Sequence, residues 1–142
     1  MTQMIHAPVR PSWRHRVPAH VALTVALVLK ALPGDSRRFR ARLALCRIGR
    51  RLPPAEHAAV QQTYQAVMAC QPRWWRGQID CKERSLATVL ATALTGRRCQ
   101  LVLGARAVPA GFHAWVTVDG EPVGDDEAGG HDHPWTPVYT SP

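Results

Sequence analysis

Residues 79–96 read IDCKERSLATVLATALTG and predict a helix with both ends marked in the sequence. Asp80 is a common capping residue, and Glu83 follows three positions later as in a capping box. Gly96 suits the position just past the last turn. Apolar residues recur between these ends at helical spacing: Leu86, Val89, Leu90, Ala93 and Leu94. The segment is therefore expected to be a helix with one buried face.

Two strands are predicted directly after this helix, at residues 99–104 (CQLVLG) and 112–118 (FHAWVTV). In the second strand, apolar and more polar side chains alternate with the period of two that is typical of a half-buried strand. Asp119-Gly120 predicts a tight turn, and residues 121–123 predict a third short strand. A helix followed by an antiparallel sheet indicates an α+β fold.

The upstream half is predicted to be helical. Closely spaced prolines in residues 1–18 predict a loose arm. Three helical segments follow, separated at Pro33-Gly34 and at Pro53-Pro54. We therefore expect one domain over residues 19–142. It has a helical part at 19–72 and a second part at 73–142 that holds the helix and strands described above.

The composition indicates a cytoplasmic protein without a cofactor. None of the four cysteines lies in a C-x-x-C motif, and no signal-peptide pattern opens the chain. The longest apolar run, residues 21–32, contains a lysine and is shorter than the roughly 20 residues of a membrane span. His131 and His133 lack further partners at metal-ligand spacing, and no P-loop is present. We expect free thiols, no membrane span and no metal.

Most of the net charge of +8 comes from arginines in two segments, residues 10–16 (RPSWRHR) and residues 35–51, the second of which is a predicted helix. A solvated basic helix accounts for this segment. The alternatives are a site for an acidic peptide, a membrane surface or nucleic acid. Because no nucleic-acid-binding motif accompanies the charge, we expect no nucleic-acid partner.

Cys81 is the first residue of the predicted helix if Asp80 is its cap. Backbone N–H groups at a helix start lack partners within the helix, and with the helix dipole they favour a thiolate over a thiol. A nucleophilic cysteine is expected at such a position. Cys46, Cys70 and Cys99 are interpreted as small buried hydrophobic residues.

A thiolate nucleophile needs a base that later protonates the leaving amine, and imidazole does both near neutral pH. Of the seven histidines, only His113 lies in a predicted strand. Trp115 shares its face of the strand and is expected to pack under it. His113 is therefore the candidate base, and a histidine packed in the core is the alternative.

The imidazole in turn needs an acceptor that orients it, and a carboxylate from the following turn or loop is the simplest source. The candidates are Asp119, Asp125 and Asp126. A turn role already explains Asp119. Asp125 follows the point where the strand pair has folded back, so it can lie beside His113.

Three residues before Cys81 are weaker candidates for the site. Gln78 can supply a side-chain amide to an oxyanion hole, beside the backbone N–H of Cys81. A solvated loop residue is the alternative for Gln78. Trp74 and Trp75 are candidate walls of a substrate groove, and core or lid residues otherwise.

Three strings of the second half resemble the transglutaminase-like cysteine proteases, and among them the leader peptidases of lasso peptide biosynthesis. The strings are DCKERSLATVL (80–90), LVLGAR (101–106) and FHAWVTVDGEPVGDD (112–126). Lys82 and Phe112 depart from the usual pattern, which has an apolar residue and a small residue there. The resemblance implies a papain-like or transglutaminase-like core with Cys81 as nucleophile, His113 as base and Asp125 as orienter.

The resemblance also implies a function and partners. The substrate would be a ribosomal precursor peptide, cut between leader and core by the part at 73–142. A separate leader-recognition protein would hold the leader, and an ATP-dependent lasso cyclase would close the freed core. Two alternatives stay open: acyl transfer to an amine on the same fold, and a non-enzymatic basic adaptor for an acidic peptide or nucleic acid.

Overall fold

Four helices precede a four-stranded antiparallel sheet in the computed structural model, which describes residues 11–124 and 135–142. The helices are α1 (Trp13–Ala31), α2 (Asp35–Cys46), α3 (His57–Ala69) and α4 (Cys81–Leu94). The strands are β1 (Gln100–Ala107), β2 (Ala110–Val118), β3 (Glu121–Val123) and β4 (Thr136–Thr140). The predicted α+β class, with its small antiparallel sheet, is confirmed.

Helix α4 is the centre of the domain. Every residue from Ser85 to Thr92 is buried, so the middle of this helix is enclosed on all sides and not only along one face, whereas Leu94, predicted to be buried, is exposed. The helix packs against α1, α3 and β2. Its last turn ends as predicted, because Gly96 adopts φ +84° and donates its N–H to the carbonyl of Ala93 at 2.9 Å.

The sheet has the strand order β3-β2-β1-β4. Ala114 and Val116 of β2 belong to the apolar core that includes α4. Because side chains alternate along a strand, His113 and Trp115 project from the other face. Strand β3 pairs with β2 only from Val116 onward, so no strand of the described residues pairs with the first half of β2 on that side.

Strand β4 is a feature that the sequence analysis missed. It carries Pro137, which lacks an N–H for a sheet ladder. The strand is nevertheless possible because, among the strands that the structure describes, it lies at the edge and pairs with β1 alone. Edge positions tolerate proline.

The predicted loose arm of residues 1–18 is too long. Helix α1 begins at Trp13 and contains Pro18, so residues 13–18 are helical and not loose. Pro18 removes one hydrogen bond in the second turn, and burial of residues such as Ala19 and Leu23 offsets that loss. The division into a helical part at 19–72 and a catalytic part at 73–142 stays a prediction.

Candidate functional site

The site is built on the start of α4. Asp80 is the N-cap residue, with extended backbone angles, and Cys81 is the first residue of the helix as predicted. The Cys81 side chain is partly exposed and forms no disulfide. Cys81 is therefore a partly exposed thiol at the start of a largely buried helix.

The predicted capping box is not formed. The Asp80 side chain makes no cap hydrogen bond and instead accepts one from Lys30 of α1, with 2.9 Å between Nζ and Oδ2. Glu83 accepts one from Arg42 of α2, with 2.7 Å between Nη2 and Oε1. In both cases a cationic side chain is the donor to the carboxylate, in place of the backbone N–H groups of a capping box. Hydrogen bonds from cations to carboxylates are stronger than those from neutral amides.

These ion pairs attach two other helices to the start of α4. The hydrogen bond from Lys30 holds the pKa of Asp80 below its ordinary value of 3.8, and burial opposes that shift only in part. Glu83 is 1% exposed, and its second carboxylate oxygen lies 4.0 Å from the Lys30 nitrogen. The residues on either side of Cys81 in the sequence, Asp80 and Glu83, are thus each held by a cation from another helix.

The other three cysteines are buried, as predicted. Burial raises the pKa of Cys46 to about 11 and that of Cys99 to about 12. Burial also raises the pKa of Cys70, against an opposing hydrogen bond from Arg16. These thiols stay protonated at neutral pH, so they are poor nucleophiles.

Cys81 and His113 line one cavity of about 360 Å³. Helix α3 contributes Tyr64 and Met68 to its wall, and α4 contributes Arg84 and Ser85. Ala114, Trp115, Val116 and Val123 complete the lining. The lining therefore includes residues from both faces of β2.

The His113 ring lies between two tryptophan side chains. Trp115 stacks against it with ring centres 5.7 Å apart and 22° between the planes. The ring centre of Trp135 lies 5.4 Å away. Trp115 packs against the histidine, as predicted, and Gly104 of the neighbouring strand leaves room for the Trp115 ring. The imidazole is therefore both oriented by packing and in contact with the cavity.

Only one of the three aspartates considered as orienters lies in the described residues. Asp119 adopts φ +51° and Gly120 φ +81°, which confirms the tight turn. Asp119 lies at the opposite end of β2 from His113, roughly 20 Å away at about 3.3 Å per residue. It does not orient this histidine. Asp125 and Asp126 lie outside the described residues.

The weaker candidates lie around the cavity and not in it. Gln78 is exposed and lines a neighbouring cavity of about 220 Å³, which shares Met68 and Arg84 with the first. Trp75 packs against the core beneath the Lys30 ammonium group. Trp74 is 58% exposed and meets Trp75 edge-on. Among the described residues, neither tryptophan lines the cavity that holds Cys81.

Sequence reasoning missed several contributors to this site. Arg84 follows Cys81 by three positions and so shares its side of the helix, a spacing that was available as a signal. Tyr64 and Met68 come from α3 and reach the site only through tertiary packing. Lys30 and Arg42 likewise reach the site only through tertiary packing. Their carboxylate partners, Asp80 and Glu83, lie 50 and 41 residues away in the sequence.

Within residues 11–124 and 135–142, no three His, Cys, Asp or Glu side chains are grouped so as to hold a metal ion. His131 and His133 lie outside those residues. No helix in the described part of the chain is long and apolar enough to cross a membrane.

Comparisons with known proteins support the fold. A search of the curated proteins found no significant match, and a search of the solved structures found none either. The family model of the transglutaminase-like superfamily matches residues 21–139. This range covers the second half of α1, the other three helices, and the sheet up to Tyr139 of β4. The protein therefore belongs to the transglutaminase-like superfamily.

Proposed function

We propose that this protein is a cytoplasmic cysteine peptidase that removes the leader from a ribosomal precursor peptide in lasso peptide biosynthesis. One observation carries the enzymatic part of the proposal. Cys81 begins a buried helix and lines the same cavity as His113. The superfamily match is compatible with this chemistry, and the resemblance of residues 80–126 to the leader peptidases supplies the substrate class.

In the proposed reaction, Cys81 Sγ attacks the scissile carbonyl, and the C–N bond breaks to leave a thioester on the enzyme. His113 takes the thiol proton and gives it to the leaving amine. The backbone N–H of Cys81, and the amide of Gln78, stabilise the oxyanion. Water then hydrolyses the thioester, which releases the leader with a free carboxylate and restores the thiol.

Asp125 is proposed to orient His113. The residue before it, Gly124, donates its N–H to Gln61 of α3 at 2.9 Å. A Cβ atom at Gly124 would lie 2.8 Å from the ring of Tyr64, which lines the cavity. The chain therefore returns to the wall of the cavity at the position that precedes Asp125.

A separate leader-recognition protein is proposed as partner. In related systems such a domain adds the peptide as a strand to a sheet edge. The described residues before β1 contain no strand and only one isolated bridge, between Pro54 and Arg98. We propose that the partner docks on α2 and residues 47–51, whose arginines are mostly exposed. The ATP-dependent lasso cyclase is likewise proposed to be a separate protein.

The first alternative is acyl transfer to an amine, which the same fold supports. The same thioester would form on Cys81, and an amine would then replace water. Product mass separates the two reactions, because hydrolysis adds the mass of one water to the two fragments and transfer leaves the leader as an amide.

The test is to incubate the protein with the precursor peptide of the same gene cluster and its recognition protein, and to weigh the products. We expect two fragments that together equal the precursor plus one water. Cys81→Ala should abolish cleavage, whereas Cys70→Ala serves as the matched control and should retain it. Cleavage by the Cys81→Ala protein would refute the proposal.

The second alternative, a basic adaptor, makes a different prediction for the same samples. An adaptor would bind an acidic peptide or nucleic acid with strong salt dependence and without a reactive thiol. Iodoacetamide at neutral pH should modify Cys81 and leave the three buried thiols intact if the peptidase proposal is right. Peptide mapping by mass spectrometry identifies the modified residue.

A further inference from the structure

Arg84 is a cation of the site without a direct ion pair among the described residues, although its charge is one of those that lower the pKa of Asp80. It lies in the first turn of α4, is partly buried and lines both the cavity that holds Cys81 and the neighbouring cavity that holds Gln78. It forms no ion pair with any carboxylate in residues 11–124 or 135–142. Arg84 therefore borders both cavities without a carboxylate in direct contact in the described part of the chain.

The neighbouring cations differ from Arg84 in this respect. Lys30 bonds to Asp80, and Arg42 bonds to Glu83. Arg38, which lies on α2 with Arg42, pairs with Asp35. The carboxylates of Asp80 and Glu83 thus have their direct ion pairs with Lys30 and Arg42, and Arg84 acts on Asp80 only at longer range. Neither cavity beside Arg84 is lined by an Asp or Glu among the described residues.

From these observations we infer that Arg84 binds a carboxylate of the peptide substrate next to the bond that is cut. Guanidinium and carboxylate groups match in geometry and form paired, charge-assisted hydrogen bonds. Residues three apart on a helix have Cβ atoms roughly 5–6 Å apart, so a carboxylate held by Arg84 lies close to the Cys81 sulfur. The substrate class is then a peptide with a carboxylate within one or two residues of the cut.

That the carboxylate belongs to a peptide substrate rests on the proposed function. The first test concerns only the carboxylate and needs no peptide. Iodoacetate and iodoacetamide both alkylate a thiolate by displacing iodide, and they differ in carrying a carboxylate or an amide beside the reacting carbon. The ratio of their rates at Cys81 measures how strongly the site favours a carboxylate. The three buried thiols should not contribute.

We expect Arg84→Gln and Arg84→Met to lower that ratio by about tenfold, the effect of one charge-assisted hydrogen bond. Arg84→Lys, which keeps the charge, should retain most of the ratio. Lys82→Gln is the matched control, because Lys82 lies next to Cys81 but is exposed and lines neither cavity. Circular dichroism of each variant confirms that it is folded.

An unchanged ratio in Arg84→Gln, or an equal decrease in Lys82→Gln, would overturn the inference. The second result would mean that the general positive field of the helix start attracts iodoacetate, without a binding group.

Fluorogenic peptides then identify the source of the carboxylate. One arm exchanges Glu for Gln at each position near the cut, and the other exchanges a C-terminal carboxylate for an amide. The wild type should show a lower KM for the acidic member of one arm, and Arg84→Gln should remove that difference. Charge-selective alkylation without peptide cleavage would overturn the proposed function and leave this site standing. Cleavage without charge selectivity in either arm would overturn this site alone.

Discussion

Arg42 of α2 donates a hydrogen bond to Glu83 of α4 across 2.7 Å, although Glu83 is 1% exposed and lies only two residues after Cys81. A buried carboxylate is unfavourable unless it is paired, so this contact makes the start of α4 depend on a helix far away in sequence. The position of the proposed nucleophile, Cys81, therefore depends on how α2 packs against α4.

Glu83→Gln should destabilise the protein by about 3 kcal/mol, because it leaves the Arg42 charge without a counter-charge in a largely buried place. Urea unfolding measures the change. Glu121→Gln is the matched control, because Glu121 is exposed on β3, and it should change the free energy of unfolding by less than about 0.5 kcal/mol. Equal effects of the two substitutions would contradict the proposed importance of the Arg42 pair.

Asp80→Asn should alter how stability depends on pH. The folded-state pKa of Asp80 lies below its ordinary value of 3.8 because Lys30 donates to it. A depressed pKa contributes stability above the unfolded-state pKa, and this contribution is lost as the pH falls through the folded-state value. The variant should therefore be less stable than the wild type at about pH 7, and the difference should shrink below about pH 4. Unfolding curves at both pH values measure it, and a difference that grows in acid would contradict the assignment.

Gly104→Ala should disturb His113 through Trp115. A Cβ atom at this position would lie 2.5 Å from the Trp115 ring, which stacks on His113. We expect a loss of stability of about 1–3 kcal/mol from overpacking. We also expect kcat/KM to fall on the order of 10–100-fold, because the imidazole is displaced. Gly49→Ala is the control, since its nearest contact would be an ordinary 3.4 Å, and it should leave peptidase activity unchanged.

The helix α4 and strands β1 to β3 could be predicted because their signals are local. Asp80 and Gly96 mark the two ends of a helix, and the alternation from Phe112 to Val118 marks a strand. The start of α1 was predicted incorrectly because Pro18 is a strong local signal that tertiary burial overrides. Strand β4 was missed because its pairing with β1 depends on a distant segment.

The residues of the candidate site differ in the same way, because some have local signals in the sequence and others do not. Cys81 and His113 were identifiable because one begins a helix and the other lies in a strand, which are local facts. The roles of Lys30 and Arg42 were not identifiable, because their carboxylate partners lie 50 and 41 residues away. The capping-box prediction for Glu83 failed for this reason: the motif was present, but cations from other helices bind its carboxylates.

Asp125→Asn should lower kcat clearly, whereas Asp126→Asn should change it little. Replacing the orienting carboxylate by its amide costs on the order of 10⁴ in kcat in a serine protease, and a cysteine–imidazole ion pair should be less sensitive. Steady-state kinetics on the precursor peptide measure both variants. The opposite ranking would mean that Asp126 and not Asp125 faces His113.

The final prediction concerns the recognition partner. Adding the leader-recognition protein should raise cleavage of the full precursor much more than cleavage of a short peptide that spans only the cut, because only the precursor carries the leader that the partner holds. Reversing charges on exposed positions of the proposed docking surface, as in Arg40→Glu with Arg47→Glu, should remove this stimulation and leave short-peptide cleavage unchanged. Lys82 lies outside that surface, so Lys82→Glu is the charge-matched control for docking and should still be stimulated. Full-rate cleavage of the precursor by the isolated protein, with tight leader binding, would instead assign recognition to the N-terminal helices themselves.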